Sequence, residues 1–149
     1  MDRKILRILQ GNGRMSVAEI AERVNLSPTP CWNRIRQLEE SGIIKGYTAI
    51  VDPARLGVPI EVLVHVTLDR HAEFAIKKFV DALAAIPEVV QCISLSGQYD
   101  ALLRVLVADL PTFERLLMQR LARVPGISHF SSSFALNHLI DRRELPLPG

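Results

Sequence analysis

Apolar residues in the first third of the chain recur at the spacing of three short helices. The first stripe, at residues 5–9, stops before residues 11–13 (Gly-Asn-Gly), which tolerate the positive φ of a helix exit. The second stripe covers residues 17–24 behind Ser16, and a Glu three residues after that Ser predicts a capping box. A three-residue turn follows, in which Asn25 suits the left-handed position.

The third helix begins with two prolines, a residue type that usually ends helices. We place Ser27 at its N-cap, so that Pro28 and Pro30 fall in the first turn, where backbone amides have no helical partner to lose. Its apolar positions are expected to face inward: Cys31, Ile35 and Leu38. Its polar positions are expected to face outward: Thr29, Asn33, Arg34, Arg36 and Gln37. The helix therefore presents a polar, basic surface.

The remainder of the chain alternates strand and helix patterns. Residues 45–51 fit a short strand and residues 57–59 a linker. The later elements are expected in the order β-α-β-β-α-β, at residues 62–68, 73–85, 89–95, 101–107, 111–123 and 127–136. Pro87 and Pro125 each end a helix before a strand, which indicates two copies of one βαβ unit.

The predicted fold class is α+β, with two domains: residues 1–59, and a ferredoxin-like βαββαβ domain over residues 60–149. The polar tail after the last strand is expected either to be frayed or to pack on a neighbouring subunit.

Composition is that of a folded, globular protein. Apolar residues make up 48% of the 149 residues and charged residues 23%, a balance without disorder or low complexity. No apolar run approaches the roughly 20 residues that span a bilayer, and the N-terminus lacks the apolar block of a signal peptide. We therefore expect a cytoplasmic protein without a membrane partner. Cys31 and Cys92 lie in apolar patterns, so reduced thiols are expected rather than a disulfide or a metal site.

Charge is distributed unevenly along the chain. Residues 1–56 carry nine Lys/Arg against six Asp/Glu, a net charge of +3, whereas residues 57–149 carry nine against ten, a net charge of −1. A positive excess at one end suits a polyanionic partner, although ordinary solvated surfaces show as much.

Two short helices joined by a three-residue turn, the second with a basic face, form a helix-turn-helix that places its second helix in the major groove of double-stranded DNA. The candidates for contacts to base edges are Thr29, Asn33 and Arg34. The candidates for phosphate contacts are Arg36, Arg14, Lys45 and Ser16. Ser27 is expected to cap the helix and to contact DNA. An ordinary three-helix packing unit with a solvated face stays open as the alternative.

The stretch LSGQYDALL separates two predicted strands. A hairpin loop explains Gly97 and Asp100 without a ligand, because Gly supplies a permissive φ and Asp accepts from backbone amides in turns. Tyr99 is an aromatic residue in a loop between strands, where it would be exposed, so we expect its ring to pack against a ligand or another subunit. The hydroxyl groups of residues 131–133 (Ser-Ser-Ser) are consistent with a strand edge or an interface. They are equally consistent with a pocket that binds a polar small molecule.

Signatures of catalysis are scarce. The four histidines show no metal spacing, and the sequence contains no Cys-x-x-Cys, G-x-S-x-G, Walker or G-x-G-x-x-G pattern. His65 lies in mid-strand among Val and Leu, which favours an interface or core histidine over a catalytic one. We expect no catalytic residue, no metal and no cofactor. An enzyme of the ferredoxin-like α+β group stays open, and turnover of an amino acid would support it.

The chain resembles the Lrp/AsnC family of prokaryotic transcription regulators almost from end to end. The resemblance is carried by residues 2–57, by PEVVQCISLSGQYDALLRVLV and by LARVPGISHFSSSF. It implies a winged helix-turn-helix joined to a βαββαβ domain. It also implies dimers through paired sheets, frequent assembly into octamers, and amino acids bound in clefts between dimers.

The same resemblance implies residue roles. Residues 27–36 match the recognition helix of the family, and Gly97, Tyr99 and Asp100 match its G-x-aromatic-D effector loop. Among the departures from the family pattern, Asn25 replaces the usual Gly of the turn, and Ser132 falls where members commonly have Thr.

The resulting hypothesis is a sequence-specific transcriptional regulator, a homo-oligomer whose assembly or DNA binding responds to an amino acid. The amides of Gly97 and Gln98 would face the ligand carboxylate, and Asp100 would favour its ammonium group directly or by ordering the loop. Tyr99 and Ser132 would shape the side-chain pocket. An architectural protein that organises DNA independently of any effector is the alternative.

Overall fold

The chain folds into two compact units. A computed structural model describes residues 1–69 and 76–148. The first unit contains residues 1–50 and the tail from Leu139 onward, and the second contains residues 51–138. The predicted boundaries differ in two places, because residues 51–59 lie with the second unit and the tail lies with the first.

Three helices form the first unit: α1 Asp2–Gly11, α2 Val17–Arg23 and α3 Pro28–Glu40. Each buries one stripe of apolar side chains in a shared core, as the helical spacing predicted. The buried residues of this core are Ile5, Ile20, Ala21, Val24, Cys31, Ile35 and Leu38. The inward face predicted for α3 is therefore confirmed.

The turn between α2 and α3 has the geometry that the sequence predicted. Asn25 adopts φ 55°. Its amide donates to the Glu22 carbonyl and the Leu26 amide to the Ala21 carbonyl, at 3.2 and 2.9 Å, which is a Schellman motif. Ser27 occupies the N-cap position ahead of Pro28, but its side chain makes no capping hydrogen bond.

Replacing Asn25 by Ala should lower the free energy of unfolding by about 1 kcal/mol, because a left-handed φ disfavours a Cβ that lacks local hydrogen bonding. Asn25→Gly is the matched control and should leave stability unchanged or higher. Urea unfolding of the three proteins measures this, and equal destabilisation in both variants would contradict the role given to φ.

The exit of α1 differs from the prediction. Asn12 is extended, with φ −149°, and the Asn12 side-chain oxygen accepts from the Arg14 amide at 3.0 Å. This Asx turn redirects the chain without a positive φ. Gly13 leaves room for Tyr47, because a Cβ there would lie 3.3 Å from the Tyr47 ring and would press on it.

The second unit has the predicted order β-α-β-β-α-β. Its elements are β1 Ile60–Leu68, α4 Ile76–Ala84, β2 Val89–Ser94, β3 Ala101–Val107, α5 Leu110–Gln119 and β4 Ile127–Phe134. The four strands are antiparallel in the order β2-β3-β1-β4, the ferredoxin-like arrangement. The predicted start of α4 at residue 73 lies outside the described residues. A separate 3₁₀ turn at Leu121–Arg123 follows α5, where a single helix to residue 123 was predicted.

The two faces of the sheet differ. Along β1, Val62, Val64 and Val66 are buried against α4 and α5, and the residues between them are half-buried. We call the side that carries Leu63 and His65 the open face, because no described helix packs on it. The alternation follows from the two-residue period of a strand.

The strand predicted at residues 45–51 is not formed within the described chain. The segment contains no strand pairing, because a strand needs a backbone partner and the described chain offers none there. Instead, the Tyr47 hydroxyl donates to Glu39 Oε1 at 3.0 Å. Burial, followed by the hydrogen bond to this carboxylate, raises the pKa of Tyr47 to about 12.

The C-terminal tail was predicted to be frayed or lent to a neighbour, but it contacts α1 of its own unit. The Leu145 amide donates to Gln10 Oε1 at 2.6 Å, and Gln10 Nε2 donates to the Leu145 carbonyl at 3.3 Å. The side-chain amide of Gln10 thus pairs with both backbone polar groups of Leu145.

A charged cluster lies on the open face. Arg104 donates to both carboxylate oxygens of Glu61, at 2.7 and 3.1 Å, and His138 Nε2 lies 2.9 Å from Glu61 Oε2. The hydrogen bond from Arg104 outweighs burial and holds the pKa of Glu61 below its usual value. A carboxyl group whose pKa is lower in the folded than in the unfolded protein stabilises the fold at pH values above its unfolded pKa. This stabilisation is lost as the pH falls through the folded pKa.

Glu61→Gln should therefore cost about 2 kcal/mol of unfolding free energy at pH 7, and the cost should shrink below pH 4.5, the ordinary Glu value. Urea unfolding between pH 7 and pH 3 checks both. Lys77 and Asp81 form an exposed pair at 3.5 Å, so Asp81→Asn is the control and should change stability little. A cost for Glu61→Gln that does not vary with pH would contradict the assignment.

Candidate functional site

Three exposed side chains share the outward side of α3. Thr29, Asn33 and Arg36 are all exposed, and their spacing of four and three residues aligns them on one helix face. We call these three residues the readout face. The Arg36 guanidinium lies 5.4 Å from the Trp32 ring centroid, and Arg36 Nε lies 2.6 Å from Glu40 Oε1. The ring and the carboxylate thus flank the Arg36 side chain.

Arg34 lies on the flank of α3 rather than on the readout face. It is half-buried, and its Nη1 donates to Asp2 Oδ1 of α1 at 2.9 Å. The structure therefore separates Arg34 from Thr29 and Asn33, with which the sequence pattern grouped it. Arg36, which was grouped with phosphate contacts, takes the position beside them.

The remaining predicted DNA contacts lie outside the residues of α3. Arg14, Ser27 and Lys45 are exposed. The Ser16 hydroxyl accepts from the Glu19 amide at 3.3 Å and donates to Glu19 Oε2 at 2.6 Å. The hydrogen bond from Ser16 holds the pKa of Glu19 below its usual value. Ser16 thus serves the predicted capping box, and its hydroxyl proton is already engaged.

The loop at residues 97–100, which we call the effector loop, is anchored by its last residue. The Asp100 amide donates to the Val66 carbonyl at 2.9 Å, and Asp100 Oδ2 accepts from the Leu68 amide at 2.8 Å. The register of β1 against β4 shifts between Thr67 and Leu68. The Asp100 carboxylate therefore fixes the loop at an irregular strand end, as the predicted ordering role requires.

The two residues that precede Tyr99 are exposed and leave their backbone amides unpaired within the described residues. Gly97 has φ 144°, a conformation that L side chains rarely adopt. Gly97 and Gln98 are exposed, and their amides have no acceptor among the hydrogen bonds of the described residues. Two such neighbouring amides suit an anionic group.

Tyr99 packs on its own chain. Its ring centroid lies 4.8 Å from that of His65, with the planes tilted by 40°, and both residues are half-buried. No role in the loop was predicted for His65. Strand alternation alone assigns His65 to the face opposite Val64, but its contact with Tyr99 depends on pairing between distant segments.

The serines of β4 divide between the two faces of the sheet. Ser132 pairs with Val64, whereas Ser131 pairs with His65. Because directly paired residues share a face, Ser132 lies on the helix-covered side and Ser131 on the open face. Within one chain the structure does not bring Ser132 together with Tyr99.

The described residues hold no group of His, Cys, Asp and Glu that fits a metal ion. Cys31 is buried and Cys92 exposed, and both are free. Burial raises the pKa of the Cys31 thiol. None of the described helices is long and apolar enough to span a membrane.

Comparison with known proteins assigns both halves. Residues 1–45 match a family model described as winged helix-turn-helix DNA-binding, and residues 61–145 match the Lrp/AsnC ligand binding domain. The DNA-binding transcriptional activator DecR of Escherichia coli is 35% identical over 147 residues, covering 99% of this chain and 97% of that protein. The leucine-responsive regulatory protein of Klebsiella pneumoniae is 41% identical over 128 residues, covering 86% of this chain and 78% of that protein.

A solved structure agrees over nearly the whole chain. It is a transcriptional regulator from Neisseria meningitidis in complex with L-Met, with a TM-score of 0.92 and 35% identity. The match covers 97% of this chain and 94% of that one.

Proposed function

The chain belongs to the Lrp/AsnC family of DNA-binding transcriptional regulators, and from this premise we propose that the readout face contacts base edges while the effector loop binds an amino acid. The observation that carries the effector assignment is that the exposed residues Gly97 and Gln98 leave their amides without an acceptor among the described residues, on a loop anchored by Asp100. A related regulator crystallised with L-Met supports the ligand class.

On the DNA side, Asn33 has the amide that pairs with adenine N6 and N7, and Arg36 the guanidinium that pairs with guanine O6 and N7. Thr29 lies near the start of α3, the end that such helices direct at base edges. Arg14, Ser27 and Lys45 would contact phosphates around them. Arg34 is proposed to leave Asp2 for DNA, since their pair is half-exposed and weakly held.

On the effector side, the Gly97 and Gln98 amides would donate to the ligand carboxylate. Asp100 would act chiefly through loop order, because its carboxylate already accepts from the Leu68 amide. Tyr99 would form the side-chain wall. Ser132 would reach the pocket from a different subunit, since within one chain it lies on the other face of the sheet from Tyr99.

We propose a symmetric homo-oligomer, dimers assembled into a ring such as an octamer, that regulates transcription without catalysing a reaction. Two subunits would present α3 helices to half-sites about one helical turn apart. The amino acid would shift the population between arrangements that bind DNA differently, an effect typically worth about 1–3 kcal/mol.

A thermal-unfolding screen against the twenty amino acids tests the effector assignment. A ligand present at about 100 times its Kd stabilises the folded state by about 2.7 kcal/mol, which should raise the Tm by about 5–10 °C for a chain of this size. At least one amino acid should do so. A flat result with intact DNA binding would instead identify an architectural DNA-organising protein.

A further inference from the structure

We propose that His65 is a positioning residue of the effector loop: its ring fixes the Tyr99 side chain, and thereby sets which amino acid side chains the pocket accepts. The inference rests on the proposed function for its consequence, but the ring contact itself lies within one chain. His65 belongs to β1, more than thirty residues before the loop that it supports.

Within the described residues, two hydrogen bonds and one ring contact join the effector loop to β1, and they act on different parts of the loop. Two hydrogen bonds join Asp100 to Val66 and Leu68, and both hold the backbone end of the loop. They leave the χ angles of Tyr99 free. The ring contact of the Tyr99 side chain, among the described residues, is with His65, at 4.8 Å between centroids.

His65 can serve as a support because its own position is rigid. It lies in a central strand, paired with Leu102 on one side and Ser131 on the other. Backbone pairing on both sides fixes the direction of its Cβ, and half-burial restricts its rotamers. The loop is exposed at Gly97 and Gln98, so the strand is the fixed partner and the loop the adjustable one.

A tilted aromatic pair contributes affinity when it orders a ring before the ligand arrives. Removing the His65 ring should therefore weaken binding of the preferred amino acid by about 3- to 10-fold. Selectivity should fall too, because a loosely held Tyr99 discriminates less between side chains. A flat aromatic ring at position 65 restores the contact, so His65→Phe should return the affinity to within about 2-fold of the wild type.

The test compares wild type, His65→Ala and His65→Phe, with His129→Ala as the control for removal of an exposed histidine from the same sheet. Calorimetry measures affinity for the amino acid that the thermal screen selects and for the next best one. We expect weaker binding and a smaller affinity ratio in His65→Ala alone. Equal affinities and ratios in wild type and His65→Ala would overturn the inference and leave the proposed function standing.

Near-ultraviolet circular dichroism tests the contact without any ligand. In a Tyr47→Phe background Tyr99 is the remaining tyrosine, and its band should collapse in His65→Ala and persist in His65→Phe. A band unaffected by His65→Ala would overturn the inference. A failure of every amino acid to bind wild type would refute the proposed effector, and the dichroism result would then decide the positioning role alone.

Discussion

Changing Arg34 and Arg36 together to Glu lowers affinity for duplex DNA by at least about 100-fold at near-physiological ionic strength. Removing each arginine from a groove or from a phosphate costs about 1–3 kcal/mol, and each added carboxylate repels the duplex. The slope of log K against log salt should also become shallower, by about one unit for every phosphate that the variant no longer neutralises. Fluorescence anisotropy with a labelled duplex measures both.

The matched control reverses Arg115 and Arg123, which lie in the second unit and are exposed. This variant has the same net charge as the α3 variant, so it should lower DNA affinity only by weakening the long-range electrostatic attraction between the protein and the duplex. The α3 variants also place like charges beside Asp2 and Glu40, so Arg34→Gln with Arg36→Gln is measured alongside and far-ultraviolet dichroism checks folding. Equally weakened binding in the α3 and Arg115/Arg123 variants would contradict the placement of DNA on α3.

Replacing Asp100 by Ala weakens amino acid binding by about 5- to 150-fold, because the Leu68 amide loses its acceptor and the loop keeps only the backbone hydrogen bond from residue 100 to Val66. An unmade hydrogen bond of this kind costs about 1–3 kcal/mol. Asp100→Asn keeps an acceptor oxygen but removes the charge. Calorimetry on the three proteins measures the affinities.

The Asn variant separates the two roles open to Asp100. If the carboxylate acts by ordering the loop, Asp100→Asn retains most of the affinity; if it pairs with the ligand ammonium, the Asn and Ala variants are weakened by similar amounts. Asp109 is the control carboxylate, since it caps α5 by accepting from the Thr112 amide at 2.7 Å, and Asp109→Asn should leave ligand affinity unchanged. Unchanged affinity in Asp100→Ala would remove the effector loop from the proposed binding site.

Local patterns predicted most of the fold. The stripe of Cys31, Ile35 and Leu38 identified the buried face of α3, and the alternation of apolar residues identified the four strands. The left-handed Asn25 was also predicted, because its conformation depends on a side chain and a turn only a few residues long. These features arise from neighbours along the chain.

Features that depend on distant pairing were not predictable in the same way. The face assigned to Ser132 depends on the register of β4 against β1, and a shift of one residue would reverse it. Arg34 lies off the readout face by helix periodicity alone, but its ion pair with Asp2 joins two helices and could not be predicted from α3 by itself. His65 was missed as the support of Tyr99 because the two meet only through the fold of β1 against the loop.

The most direct test of amino-acid-responsive regulation measures the Kd of one labelled duplex, recovered by selection from random sequences, with and without a saturating amino acid. A coupling of about 1–3 kcal/mol predicts a change of about 5- to 150-fold for at least one amino acid, and the duplex must change the affinity for that amino acid by the same factor. A Kd that stays the same with each of the twenty amino acids at saturation would contradict an amino-acid-responsive regulator.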